Sequence, residues 1–325
     1  MSDRTTSNRI DPQSDRHRST DPVSDPDRFC ETPAGVRICF RTDGDPGATP
    51  LLLITGLGQQ LISWPQPFVD ALVDAGHYVI RLDNRDIGRS SRIDDVKPPT
   101  LVEQIIRRLR PEQYTLREMT LDAVAVLDAV GIDTVHVAGS SMGGMIAQTL
   151  AAEHRHRVRT LTSIFSNTGR WNAGWVAPQT LLLMARPPRR TRAEAADFTV
   201  TLMRTIGSAG FPFDEAAVRA LAEAAWDRGD GAHAAAGVAR QIGAIYKSGD
   251  RTPALRTITA PTLVIHGDRD NMVHPSGGRA TAAAIRGARL VTIPGLGHDL
   301  PPAVWPQLVE LISAHTAKER TGAGA

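Results

Sequence analysis

Six short stretches of this chain are apolar almost without interruption, and a seventh, VRICFRTDG at 36–44, alternates apolar and polar residues. The six are LLLITG at 51–56, HYVIRLD at 77–83, TVHVAG at 134–139, VRTLTSIF at 158–165, PTLVIHG at 261–267 and ARLVTIPG at 288–295. A strand that is apolar on every residue has to be covered on both faces. That is the condition of a parallel sheet between two layers of helices, whereas a half-exposed antiparallel sheet shows alternation. Segments with helical spacing lie between the runs: WPQPFVDALVDAG, TLREMTLDAVAVLDAVGI, GMIAQTLAAEHRHRV and PAVWPQLVELISAH. Strand and helix in turn imply a doubly wound α/β architecture.

The rhythm breaks once. Residues 166–252 contain no strand of this kind, and they read as several Ala-rich helices carrying Trp171, Trp175, Phe198, Phe211, Phe213, Trp226 and Tyr246. They are expected to form a helical cap inserted between two strands, with 29–165 and 253–318 as the core. Residues 1–28 have almost no apolar side chains and cannot bury enough surface to offset ordering, so a disordered tail is expected there. Residues 319–325 are expected to be a flexible C-terminus.

Length and charge narrow the function. The 325 residues carry a net charge of only +2, with 41% hydrophobic and 22% charged residues. That is the balance of a soluble globular enzyme, and no basic stripe suits nucleic acid. The basic runs at 107–110 and 186–190 read as solvated loops. No run approaches the roughly 18 apolar residues of a membrane span, and no signal peptide is recognisable, so a cytoplasmic protein is expected. Cys30 and Cys39 are expected to be thiols, although a turn at Ala34–Gly35 would bring them opposite each other on a hairpin.

The chemistry concentrates at VHVAGSSMGGMIAQ, residues 135–148, where an apolar run passes directly into a helical pattern. A side chain presented on so tight a turn occupies strained φ/ψ, and bulky residues two positions away on either side would collide. Gly139 and Gly143 stand at those positions around Ser141, with Gly144 beside them. Ser140 has Ala138 and Met142 at the corresponding positions and is not the nucleophile. A serine hydroxyl needs a base, and the base needs an acid to orient it. Asp270 follows the run ending at Gly267, and His298 follows the last run in PGLGHDLP, so all three residues lie at carboxyl ends of strands, where open α/β sheets build their sites. Asp268 reads as a turn residue. His274 follows Asp270 too closely to face Ser141, and His136 and His266, within strands, read as structural. The N–H groups of Met142, at the start of the helix, and of Leu57, in TGLGQQ, are the expected oxyanion donors. This chemistry calls for no metal and no cofactor.

These residues resemble an α/β-hydrolase over roughly 29–318, with DNRDIGRSS at 83–91 similar to that superfamily's D-x-R-x-x-G-x-S loop, which the resemblance makes structural. Within the superfamily, SWP, DNRDIGRSS, YTLREMTLDAVAVLDAVGI and GSSMGGMIAQ resemble the aclacinomycin methylesterase-like hydrolases. The resemblance implies an eight-stranded, mostly parallel sheet with helices on both faces and the cap between strands 6 and 7. It implies action on carboxylic esters, including those of polyketides. Two departures stand out: TGLGQQ lacks the His that precedes the glycine in many relatives, and Asn271 replaces the Pro that often follows the acid. The expected activity is that of a serine esterase or lactonase on a small hydrophobic substrate, with Gly56, Trp171, Trp175 and Phe211 against it and no nucleic-acid or membrane partner; a homodimer is allowed for. A C–C bond hydrolase, a perhydrolase and a prolyl aminopeptidase share the triad, and a ligand-binding receptor on the same fold is the non-enzymatic alternative.

Overall fold

The computed structural model describes residues 26–106, 108–229 and 231–322. Eight strands form one sheet: β1 (Arg28–Glu31), β2 (Arg37–Asp43), β3 (Thr49–Ile54), β4 (His77–Leu82), β5 (Val135–Ser140), β6 (Val158–Ile164), β7 (Thr262–Gly267) and β8 (Arg289–Ile293). Their order is β1-β2-β4-β3-β5-β6-β7-β8, antiparallel for the β1–β2 and β2–β4 pairs and parallel from β4 onward.

Eleven α-helices are described: α1 (Gln66–Asp74), α2 (Leu101–Ile105), α3 (Leu116–Ala129), α4 (Met142–Glu153), α5 (Pro178–Met184), α6 (Arg192–Ile206), α7 (Glu215–Arg228), α8 (Ala234–Ser248), α9 (Thr252–Leu255), α10 (Ser276–Ala284) and α11 (Trp305–Gly322). The fully apolar strands serve both faces of the sheet. Leu51 and Leu53 of β3 pack with Phe68 and Leu72 of α1 and Leu308 and Ile312 of α11. Leu52 and Ile54, on the other face, pack with Met119 and Val126 of α3 and Ile146 and Leu150 of α4. Polar substitution at any of these four strand positions would bury an unpaired group.

The chain turns one way from β3 to β4 and the other way from β4 to β5, so the switch point of the sheet lies between β3 and β5. Open α/β sheets place their sites beside such a point, at the carboxyl ends of the strands. Gly56 and Leu57 leave β3 at this point and Ser141 leaves β5.

Helices α5 to α8 lie between β6 and β7, within the 166–252 insertion. Residues 1–25 of the expected tail lie outside the described residues, as do 323–325. The expected boundaries need correction at both ends. Asp27 belongs to the folded chain, since its carboxylate is fully buried among Arg41, Arg89 and Arg228. At the other end α11 runs on to Gly322 instead of stopping at 318. The β1–β2 hairpin does form, with Gly35 at φ +74° in its turn. Its register pairs Cys30 with Ile38 and Cys39 with Phe29. The two cysteines therefore face opposite sides of the hairpin and are free thiols.

Candidate active site

Ser141 is the residue between β5 and α4, at φ 55° and ψ −119°, a region that side chains rarely occupy. The turn is held by Ser141 N–H donating to the Ile164 carbonyl at 3.0 Å and by Ser166 Oγ donating to the Ser141 carbonyl at 2.8 Å. The three glycines are required by space. A Cβ on Gly139 would lie 2.1 Å from the Gly143 oxygen, one on Gly143 2.1 Å from the Ile54 oxygen, and one on Gly144 2.7 Å from Ser166 Cβ. Backbone at Gly139 and Gly143 and the Ser166 side chain at Gly144 fill the positions a neighbouring side chain would need, and this is why a serine here is ringed by glycine.

The structure brings Ser141, His298 and Asp270 into one line. His298 Nε2 lies 2.9 Å from Ser141 Oγ, and Nδ1 lies 2.8 Å from Asp270 Oδ2. An ionised carboxylate only accepts, so the Nδ1 side carries the proton and Nε2 presents its lone pair to the serine hydroxyl. Asp270 Oδ1 accepts from the Met272 and Val273 amides, both at 2.8 Å. Burial alone would raise the Asp270 pKa. The facing His298, the His266 and His298 hydrogen bonds and the Val273 amide outweigh burial and hold the carboxyl well below the ordinary range. The Phe165 ring packs 4.7 Å, centroid to centroid, from the imidazole of His298.

A pH dependence follows from the lowered pKa. A depressed folded-state value means stability that is present above the unfolded carboxyl pKa of about 4 and lost as pH falls toward the folded value. Wild type is expected to lose more melting temperature between about pH 5 and pH 3 than Asp270→Asn does. Thermal melts of the two proteins across that range check this; parallel curves would contradict it.

The other titratable candidates sit apart from this line. Asp268 accepts from the Gly295 amide at 2.7 Å, as a turn residue does. His274 bonds to Ser276 Oγ and stacks on Trp175. His136 is buried against Thr160 Oγ1 at 2.8 Å. His266 Nε2 lies 2.8 Å from the Val273 carbonyl and 3.5 Å from Asp270 Oδ2, so it braces the acid loop.

Gly56 lies against Ser141: a Cβ there would sit 3.2 Å from Ser141 Cβ. The Leu57 amide follows directly, and the Met142 amide is the first of α4. Neither N–H donates in any hydrogen bond among the described residues. The expected wall of aromatics fares differently. Trp171 is 79% exposed and Trp175 50% exposed, so neither is enclosed as the side of a buried pocket would be. Both stand in the irregular segment before α5. Phe211 is partly buried, beside the loop that carries His298. Phe198 and Phe213 serve the cap itself, beneath Arg189 and Arg204.

The cap grips the loops around Ser141 and His298 from two sides. From α6 and its following loop, the Ile206 carbonyl accepts from His298 N–H at 2.7 Å, and Ser208 Oγ accepts from Gly297 N–H at 2.8 Å and bonds to Asp299. From α7 and α8, Arg228 pairs with Asp83 at 2.7 Å, and Arg240 chelates Asp86. The 83–91 loop is thus a structural anchor. Sequence reasoning missed Ser208, Asp299, Gln59 and Gln241. A signal existed for Gln241: it lies on the face of α8 that carries the small residues Gly237 and Ala244, and at Gly237 the Asp86 backbone approaches closely. Among the described residues, no group of His, Cys, Asp or Glu is disposed to hold a metal, and no helix is long and apolar enough to cross a membrane.

Comparison with known proteins bears on the family and the fold. The family model for the alpha/beta hydrolase fold matches residues 49–301. The chain belongs to the α/β-hydrolase family. Rhodomycin D methylesterase of Streptomyces peucetius is 34% identical over 292 residues, covering 84% of this chain and 92% of that protein. A putative carbamate hydrolase of Variovorax paradoxus is 27% identical over 272 residues, covering 80% and 88%. The enol-lactonase structure from Burkholderia xenovorans matches with a TM-score of 0.66 at 23% identity, covering 90% of this chain and 100% of that one. At that identity it speaks for the fold alone. The sheet of this family member, with its cap between β6 and β7, accords with the sequence reading, and its methylesterase relative with the narrower resemblance.

Proposed function

We propose that this chain is a serine hydrolase that cleaves hydrophobic carboxylic esters or lactones, polyketide-like ones included, through an acyl-enzyme. The observation that carries the reading is the unbroken hydrogen-bonded line from Ser141 Oγ through His298 to Asp270. Ser141 Oγ attacks the acyl carbon as His298 Nε2 takes its proton. The Leu57 and Met142 N–H groups, without partners among the described residues, receive the oxyanion. His298 returns the proton to the leaving alcohol, then activates water to hydrolyse the acyl-enzyme. Asp270, kept ionised, fixes the tautomer and stabilises the imidazolium. Similarity to a methylesterase over most of both chains supports an ester as the substrate. The cytoplasm, where Cys30 and Cys39 stay reduced, is the setting this reading takes.

The acidic side chains of the cap favour a neutral substrate over an amine. Four of them are exposed and engaged elsewhere. Glu194 accepts from the Arg190 amide, Asp197 pairs with Arg219, Asp214 caps α7 and Asp227 pairs with Arg192. An amine buried under this cap would meet none of these four carboxylates, at a cost of a few kcal/mol. A bulky aromatic ester or macrocyclic lactone is therefore expected to exceed proline arylamide in kcat/KM by about 10²-fold or more. Faster turnover of the arylamide in a side-by-side assay would replace the esterase reading with an aminopeptidase.

A further inference from the structure

We propose that Gln241 of the cap helix α8 is a positioning residue that, with Gln59, holds the oxyanion loop so that the Leu57 N–H alone is left to meet substrate. The proposal rests on the reading of Ser141 and Leu57 given above and adds to it a physical link between cap and chemistry.

Three successive amides are involved. Gly56 N–H donates to Gln59 Oε1 at 3.1 Å, and Gly58 N–H donates to Gln241 Oε1 at 2.9 Å. The N–H between them, that of Leu57, has no partner among the described residues. Two outer peptide planes are therefore pinned by amide carbonyls, and the middle one is held between pinned neighbours. The pinning matters because both flanking residues are glycines, and Gly58 adopts φ +68°. A loop so permissive would otherwise spread over many conformers, most of which aim the Leu57 N–H elsewhere. Oxyanion stabilisation depends on donors that need no reorganisation when charge develops.

Gln241 is built for this task. It is fully buried, and its Nε2 donates to the Arg85 carbonyl at 2.8 Å, which fixes the amide the right way round to accept from Gly58. Its neighbours on α8 press on the same two loops. A Cβ on Gly58 would lie 3.0 Å from Val238 Cγ2, one on Gly237 would lie 2.1 Å from the Asp86 oxygen, and Arg240 chelates Asp86. Gln59 is braced from the core side, where its backbone carbonyl accepts from Thr55 Oγ1 at 3.1 Å. The oxyanion loop thus has one clamp from its own chain segment and one from the cap, 183 residues away.

The test is Gln241→Met, which keeps length and apolar volume and removes both hydrogen bonds. Steady-state kinetics with p-nitrophenyl butyrate should show kcat lowered about tenfold or more with KM nearly unchanged, since the lost interaction acts on the transition state. Circular dichroism and melting confirm that the variant is folded. Gln241→Glu retains an acceptor for Gly58 N–H and should recover part of kcat. Should Gln241→Met not fold, Gln59→Met carries the test with the same kcat-only loss expected. An unchanged kcat, or a rise in KM alone, overturns the clamp. Reaction of the wild type with a fluorophosphonate probe, absent in Ser141→Ala, separates the two readings. If the wild type neither turns over the ester nor takes the probe, the reading of Ser141 fails and the clamp fails with it. If it does both and the glutamine variants match it, the clamp alone fails.

Discussion

Ser141→Ala is expected to lower kcat for an ester by on the order of 10⁴ or more while leaving the fold and melting temperature intact. The separation of effects follows from the turn. Alanine keeps the Cβ, so the strain at φ 55° and the contact with Gly56 are unchanged and only the Oγ is lost. The hydroxyl's one described partner is His298 Nε2, whose imidazole stays anchored by Asp270 and by its own amide on the Ile206 carbonyl. Residual turnover reports the oxyanion donors and binding alone. The check is kcat for both proteins beside melting curves. A variant retaining more than about a hundredth of wild-type kcat would place the nucleophile elsewhere.

Arg240→Ala is expected to cost about 3–5 kcal/mol of stability, because it leaves the carboxylate of Asp86 buried without its cation. Asp86 is fully buried and Arg240 nearly so. The guanidinium meets both carboxylate oxygens through Nε at 3.0 Å and through Nη2 at 2.5 Å, and its Nη1 donates to the Val96 carbonyl. Burial by itself would lower the Arg240 pKa, and the bonded Asp86 reverses this and raises it. Among the described residues only Tyr114 OH and the Ile93 amide would remain on Asp86, and neither carries charge. Urea denaturation measures the loss. A change below about 1 kcal/mol would mean that water reaches Asp86 and that the cap is not pinned at this point. The double variant Arg240→Met/Asp86→Asn, which removes both charges, should recover part of the loss.

The reach of the sequence reading divides along a physical line. Ser141, Asp270 and His298 were legible because each follows an apolar run directly, so chain-local pattern fixed their place at strand ends. The glycines around Ser141 were legible because a tight turn forbids side chains within two residues of it. Helix α10 was not, since SGGRATAAA has no apolar stripe: it packs through glycine and threonine. Asp27 was counted with a polar tail because its three arginine partners lie 14, 62 and 201 residues further on. Gln241 was missed for a related reason: the small residues beside it on α8 signal a close contact but do not say that Gly58 and Arg85, 183 and 156 residues back, make it. A buried polar side chain declares itself only when its distant partner is known. Trp171 and Trp175 pose the converse difficulty. Large aromatics in a polar segment suggest a pocket wall, yet nothing in the spacing says how far they will be buried, and they stand 79% and 50% exposed.

The most direct test of the account is rapid-quench mass spectrometry during turnover of a p-nitrophenyl ester. The account predicts one acyl group on the peptide containing Ser141, formed at the rate of the p-nitrophenolate burst and absent in Ser141→Ala. Turnover with no acyl adduct on Ser141, or with the adduct on Ser140 or any other residue, would contradict it.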